Sequence, residues 1–300
     1  MAAPKVAKPI LIGYVCGSET KSHLTAREDK LVRFTKIFGF ALFGLTMVSN
    51  IVIAKDNEKP PLVFAASSLT TVLTEHALNW SETRGLPIPR LSFGASAAMA
   101  RQIKAGAPAH IFISANPRWV ETITNDNRVE DTAAVAINQL VLVGSAMSPA
   151  MNYKKKAADE PFEPTEAYFS RLLKGKRLAL ANPALAPLGA YSLRYLQKTM
   201  LWDFLNDKIA YGQNARQTLR LVEQGGLPAF VYRSDAFMND KVTVLYAVPS
   251  ELSGSIIYQA ALLKTASSTS KAFFHYLQSE EARPTWVTFG FGRNKKIASK

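Results

Sequence analysis

Beyond Pro60 the chain alternates short apolar runs with stretches whose apolar positions recur every three or four residues. "LVFAA" (62–66) precedes a helical pattern from Ser68 to about Thr83, "IPRLSF" (88–93) precedes "AAMARQIKAG" (97–106), and "HIFIS" (110–114) precedes "PRWVETITN" (117–125). Strands alternating with helices predict βαβ units and a parallel sheet. "VAINQLVLVGS" (135–145) is longer and predicts one strand crossing between two lobes. The polar stretch 148–164, with three Lys and three Pro, predicts a surface loop. The alternation then resumes with "RLALA" (177–181), a loop "NPALAPLG" (182–189) and a helix from about Ala190 to Lys198. "KIAYG" (208–212) leads into "NARQTLRLVEQGG" (214–226), and "PAFVYRS" (228–234) reads as a buried strand. Two further strands, "KVTVLYAV" (241–248) and "SIIYQAALLK" (255–264), precede helices over 270–279 and 281–288. The count predicts two α/β lobes, and no repeat or low-complexity segment interrupts it.

The first 54 residues follow a different logic. "FGFALFGLTMVSNIVIA" (38–54) is apolar, follows Arg33 and Lys36, and ends in Val52-Ile53-Ala54 before Lys55. A basic flank, an apolar core and a small residue at the end are the build of a secretory signal peptide. With 17 residues and Asn50 inside it, the run is short for a permanent membrane span. Residues 1–54 are therefore expected to be a leader and signal peptide, cleaved after Ala54. A signal peptide starts near the beginning of its chain, yet about 30 residues precede this one, which points to translation starting near residue 31 or 32.

Composition narrows the function classes. Of 300 residues, 48% are hydrophobic and 20% charged, the balance of a folded globular chain. The formal charge is +13, and residues 1–54 hold seven Lys/Arg against three Asp/Glu, so residues 55–300 keep +9. Apart from Lys154–Lys156 and Lys295–Lys296 the basic residues are scattered, and no DNA- or RNA-binding signature accompanies them, so nucleic acid is not the expected partner. Cys16 is the only cysteine and falls in the leader. The expected mature chain thus has neither a disulfide nor a cysteine-based metal site.

In open α/β sheets, ligands bind beyond the carboxyl ends of the strands. Here those positions read "AASSLT", "SFGASAA", "APLGAY", "GQNARQTL" and "VYRSD". They offer hydroxyls, glycine-eased backbone and helix N-termini, with hardly any carboxylate. The first N–H groups of a helix lack internal partners and carry a partial positive charge, so several converging helix starts would suit an anion. Removing an ion's water costs tens of kcal/mol in a dry site, which six or seven charge-assisted bonds at ~1.5–3 kcal/mol each could begin to offset. A site made only of donors would accept a fully deprotonated dianion and reject one carrying a proton. Taken singly, Ser68 and Ser96 read as helix caps, Tyr232 as a core tyrosine, and Gly189 and Gly212 as turn residues. Their recurrence at successive strand ends favours the anion reading. The competing reading is a hydrolase. "GASAA" (94–98) lacks only the last Gly of a nucleophile elbow, and Ser96, Asp235 and His275 occur in a Ser–Asp–His order. However, His275 falls within a helical pattern, His76 and His110 are placed no better, and no ligand spacing suggests a metal.

The blocks "VFAASSLT", "SFGASAAMARQIKAGAPAHIFISAN", "PLGAYS" and "FVYRSDA" resemble, in order and spacing, the periplasmic molybdate-binding proteins of ABC importers. The resemblance runs from about Leu62 to the C-terminus. It implies a two-lobed type II periplasmic-binding-protein fold with the ligand in the cleft between lobes. Residues 55–137 plus about 250–300 would form one lobe and about 138–249 the other. It further implies a periplasmic, non-enzymatic, monomeric receptor that binds molybdate or tungstate without a cofactor and hands it to a membrane permease. By position, Ser68 and Ser96 would supply hydroxyl and backbone donors, Leu188 and Ala215 backbone N–H groups, and Tyr232 its phenol. Four positions depart from the family pattern: Ala95 replaces a second Ser, Leu188 a smaller Ala, and His110 and Asn182 acidic residues. The effector domain of a transcription regulator shares this architecture, but no DNA-binding helices accompany it here.

Overall fold

The computed structural model describes residues 59–146, 163–237 and 239–292, so the leader, Cys16, most of the 148–164 loop and Lys295–Lys296 lie outside the described residues. In chain order the elements are β1 (Leu62–Ala66), α1 (Thr70–Arg84), β2 (Arg90–Gly94), α2 (Ser96–Lys104), β3 (Ile111–Ser114), α3 (Pro117–Thr124) and β4 (Val129–Asn138). Then follow β5 (Leu140–Ser145), α4 (Glu166–Leu173), β6 (Leu178–Ala181), α5 (Pro187–Lys198), α6 (Trp202–Leu205), β7 (Ile209–Gly212) and α7 (Ala215–Glu223). The last are β8 (Ala229–Tyr232), α8 (Arg233–Phe237), β9 (Val242–Ala247), α9 (Ser250–Ser253), β10 (Ile256–Leu263), α10 (Ser268–Tyr276) and α11 (Arg283–Thr288).

These strands form two five-stranded sheets, ordered β2-β1-β3-β10-β4 and β7-β6-β8-β5-β9. In each, three parallel strands are followed by one antiparallel strand, β10 or β5, and then by a fifth, β4 or β9, that pairs antiparallel with it and so runs with the first three. The two-lobed α/β expectation therefore holds. Strands β1, β3, β6 and β8 are buried almost throughout, as expected for sheets covered on both faces by helices. The chain passes between the sheets twice, at Gln139 and through residues 248–255. Here the expectation of one continuous strand over 135–145 is corrected. Asn138 turns its side-chain oxygen onto the Gln139 N–H at 2.9 Å, and the run divides into β4 and β5 in different sheets. Gln139 also donates from its side chain to the Val248 carbonyl at 3.3 Å, tying the two passages together.

One helix start and three short helices also differ from the sequence reading. Helix α5 begins at Pro187 rather than near Ala190, because a fixed φ and a missing N–H suit proline to the first helical position. The short helices α6, α8 and α9 carry too few residues for any periodicity to reveal them. His76 sits in the core against the Trp286 ring, 4.5 Å between centroids, and burial pushes its pKa down to about 3.

Candidate functional site

Helix starts from both sheets meet at one small cavity. The 3₁₀ turn at Ser67–Leu69 follows β1, α2 follows β2, α5 follows β6, and α7 follows β7. Their first residues line a space of about 10 Å³, roughly what one water molecule requires. At three of these starts the capping position is an alanine, Ala66, Ala95 or Ala186, and no side chain caps the helix. Elsewhere Asn116, Thr165 and Ser267 fill that position and accept a backbone N–H, as such residues usually do. At the fourth start, Asn214 accepts from the Gln217 N–H at 3.0 Å, which leaves the Ala215 N–H uncapped by it. The uncapped N–H groups are thus turned toward a common point, with the positive ends of three helix dipoles behind them.

Three hydroxyls complete the arrangement. Ser96 is 1% exposed and its Oγ accepts from the Ala115 N–H at 3.3 Å, so its proton remains available. The Ser68 Oγ lies 2.8 Å from the phenol oxygen of Tyr258 on β10. Tyr232 ends β8, and its buried hydroxyl has no hydrogen-bond partner among the described residues. Burial, and secondarily Tyr258, Tyr191 and Asp235 nearby, raises its pKa well above the ordinary tyrosine value, so it stays a neutral O–H donor. A buried donor without an acceptor costs about 1–3 kcal/mol, which a ligand oxygen would return. No residue lining the cavity carries a charge.

The five positions singled out in the sequence, Ser68, Ser96, Leu188, Ala215 and Tyr232, all line this cavity. Ser96 is not the cap it resembled; it is the first helical residue, and Ala95 holds the capping position. A serine there would be free to cap its own helix, so Ala95 keeps these N–H groups uncommitted. His110 and Asn182 lie outside the lining. The His110 Nδ1 accepts from the Leu62 N–H at 3.1 Å and faces the Ser270 hydroxyl at 3.0 Å, the acceptor work a carboxylate would do, and burial lowers its pKa. Asn182 accepts from the Ala184 N–H at 2.9 Å and shapes the turn before α5. The triad Ser96–Asp235–His275 is not assembled. Because Phe273, Phe274 and Tyr276 take the buried face of α10, His275 points outward, while Asp235 faces Arg216.

Arg216 was not read from the sequence as functional, yet it spans the cleft. From α7 it donates to the Ser67 carbonyl at 3.3 Å and to Thr71 Oγ1 at 2.8 Å, both on the other sheet's elements, and it stands 3.5 Å from Asp235 Oδ1. Burial, opposed by Arg216 and reinforced by Glu223, pushes the Asp235 pKa up to about 7. A second, wider cavity of about 310 Å³ runs beside this pair and shares Ser68 with the small one. Contacts made only when the lobes are together favour that arrangement. Arg216→Ala is therefore expected to weaken solute binding about tenfold by faster release, and Arg216→Lys to do the same in part, since Lys keeps the charge but loses the planar fork. Stopped-flow release kinetics check this; an unchanged release rate in both variants would rule out a clasp.

Two α/β sheets closing a neutral, donor-lined cavity between them define a receptor for a small solute. Sequence comparison agrees: the model of the bacterial extracellular solute-binding protein family matches residues 61–292. The chain belongs to that family, whose members capture solutes and are not enzymes. It is 32% identical over 264 residues to the molybdate-binding protein ModA of Escherichia coli, covering 86% of this chain and 98% of that protein. Against ModA of Haemophilus influenzae it is 32% identical over 233 residues, with coverage of 76% and 88%. Among solved structures, the periplasmic molybdate-binding protein of Azotobacter vinelandii superposes with a TM-score of 0.66 at 19% identity, covering 78% of this chain and all of that one, a likeness of fold.

Proposed function

We propose that this protein is the extracytoplasmic receptor of an ABC importer that captures molybdate or tungstate and delivers it to the membrane permease. The observation that carries the reading is the cavity's chemistry: uncapped helix starts and hydroxyl donors, with no charged group and no carboxylate acceptor among the lining residues. Ser68 and Ser96 would bind through hydroxyl and backbone, Leu188 and Ala215 through backbone N–H, and Tyr232 through its phenol. The names of the two ModA relatives support the choice of anion. In this reading residues 55–137 and about 250–300 make one lobe, about 138–249 make the other, and residues 1–54 carry the export signal. The receptor works in the periplasm as a monomer, needs no cofactor and engages no nucleic acid; among the described residues no helix is long and apolar enough to cross a membrane. Calorimetry on the secreted protein with molybdate, tungstate, sulfate and phosphate tests the proposal. Tight binding of molybdate or tungstate is expected, without phosphate binding; phosphate binding in the absence of molybdate binding would refute the donor-only site.

A further inference from the structure

We infer that Tyr258 is a specificity-determining positioning residue, which holds the Ser68 hydroxyl as a donor and so closes the site to anions that carry a proton. The inference rests on oxyanion capture as proposed above and assigns a residue outside the cavity lining.

The direction of each hydrogen bond follows from Asn138, at the point where the chain leaves the first sheet. Its Oδ1 accepts from two backbone groups, the Gln139 N–H at 2.9 Å and the Ser234 N–H at 3.4 Å. Backbone N–H groups can only donate, so the amide has one orientation. Its Nδ2 therefore faces the Ser234 Oγ at 2.8 Å and the Tyr258 phenol oxygen at 3.5 Å. Tyr258 receives an N–H there and has a single proton to give. The partner within reach is the Ser68 Oγ at 2.8 Å. The reverse arrangement would aim two donors at one phenol oxygen and strand its proton in a position with 0% exposure, a costly outcome. The chain of donation thus runs from Asn138 through Tyr258 to Ser68, whose own proton is left for the cavity.

Ser96 is set the same way by the Ala115 N–H, and Tyr232 has no acceptor among the described residues. All three hydroxyls then present hydrogen to the ligand. An oxyanion with a P–O–H group then meets three hydroxyl protons and no carboxylate in the lining to receive its own. Without the Tyr258 proton, the Ser68 hydroxyl is released to turn and accept.

The test is calorimetry at pH 8 with molybdate and inorganic phosphate on the wild type, Tyr258→Phe, Asn138→Asp and Ser68→Ala. Tyr258→Phe is expected to lower the molybdate-to-phosphate affinity ratio at least tenfold, with phosphate binding becoming measurable. Asn138→Asp keeps the shape of the hinge but offers a carboxylate that takes the Tyr258 proton, so it should shift the ratio the same way; it carries the test if Tyr258→Phe fails to fold. Ser68→Ala removes the hydroxyl altogether, and should weaken molybdate binding while phosphate stays excluded. An unchanged ratio in Tyr258→Phe and Asn138→Asp, or phosphate binding that becomes measurable in Ser68→Ala as well, would overturn the role of Tyr258. A wild type that does not bind molybdate would instead overturn the oxyanion reading itself.

Discussion

Replacing Gly189 by alanine, ordinarily a gain of about 1 kcal/mol inside a helix, is expected here to destabilise the protein by roughly 3 kcal/mol or more. The reason is steric and lies in the backbone. A Cβ on Gly189 would stand 2.1 Å from the Ala181 carbonyl oxygen and 2.7 Å from the Pro183 nitrogen. Neither atom belongs to a flexible side chain that could swing away. To relieve the overlap, the first turn of α5 must lift off the end of β6. That turn carries the Leu188 N–H, so solute affinity should fall together with stability. Urea denaturation and calorimetry on Gly189→Ala measure the two effects. Stability equal to or above wild type would mean that the helix start shifts without consequence, and the close approach would then have no role in placing Leu188.

Tyr232→Phe should produce two effects of opposite sign. The Tyr232 hydroxyl is buried without an acceptor, so its removal from the ligand-free protein should raise stability by about 1 kcal/mol. The same hydroxyl is a proposed donor to a charged ligand, and its loss should weaken molybdate binding by about 10- to 100-fold. Ligand stabilises the folded state according to its affinity. The thermal unfolding midpoints should therefore exchange order: Tyr232→Phe above wild type without molybdate, and below it when molybdate saturates only the wild type. A variant less stable in both conditions would show that the hydroxyl supports the fold rather than the ligand.

Much of this was legible in the chain because the relevant signals are local. Apolar runs such as "LVFAA" and "HIFIS" could only be buried strands between helical stretches, and they locate β1 and β3 to within a residue. Ser68 and Ser96 could be placed because they stand where a strand pattern gives way to a helical one, whereas Leu188 and Ala215 came from the family resemblance alone. What stayed hidden depends on partners distant in sequence. Tyr258 meets Ser68 from 190 residues away, and Arg216 reaches Ser67 across 149; neither pairing leaves a periodic trace. Ala95 reads in the sequence as a missing hydroxyl, and the fold adds that its place before α2 makes it one of three alanines that leave a helix start uncapped. The division of 135–145 at Gln139 leaves only the polar pair Asn138-Gln139 as a local sign, since a strand runs directly up to it on each side with no Gly or Pro turn signal between them.

The strand order carries a consequence for how the protein is made. In the first sheet, β10 sits between β3 and β4, so the sheet keeps an open seam until Leu263 has been synthesised. The second sheet is built wholly from β5 to β9 and can close earlier. Contacts between segments far apart in sequence form slowly, since a long loop must first be closed. The strands made first therefore cannot complete their own sheet, and the first sheet closes only when most of the chain is available.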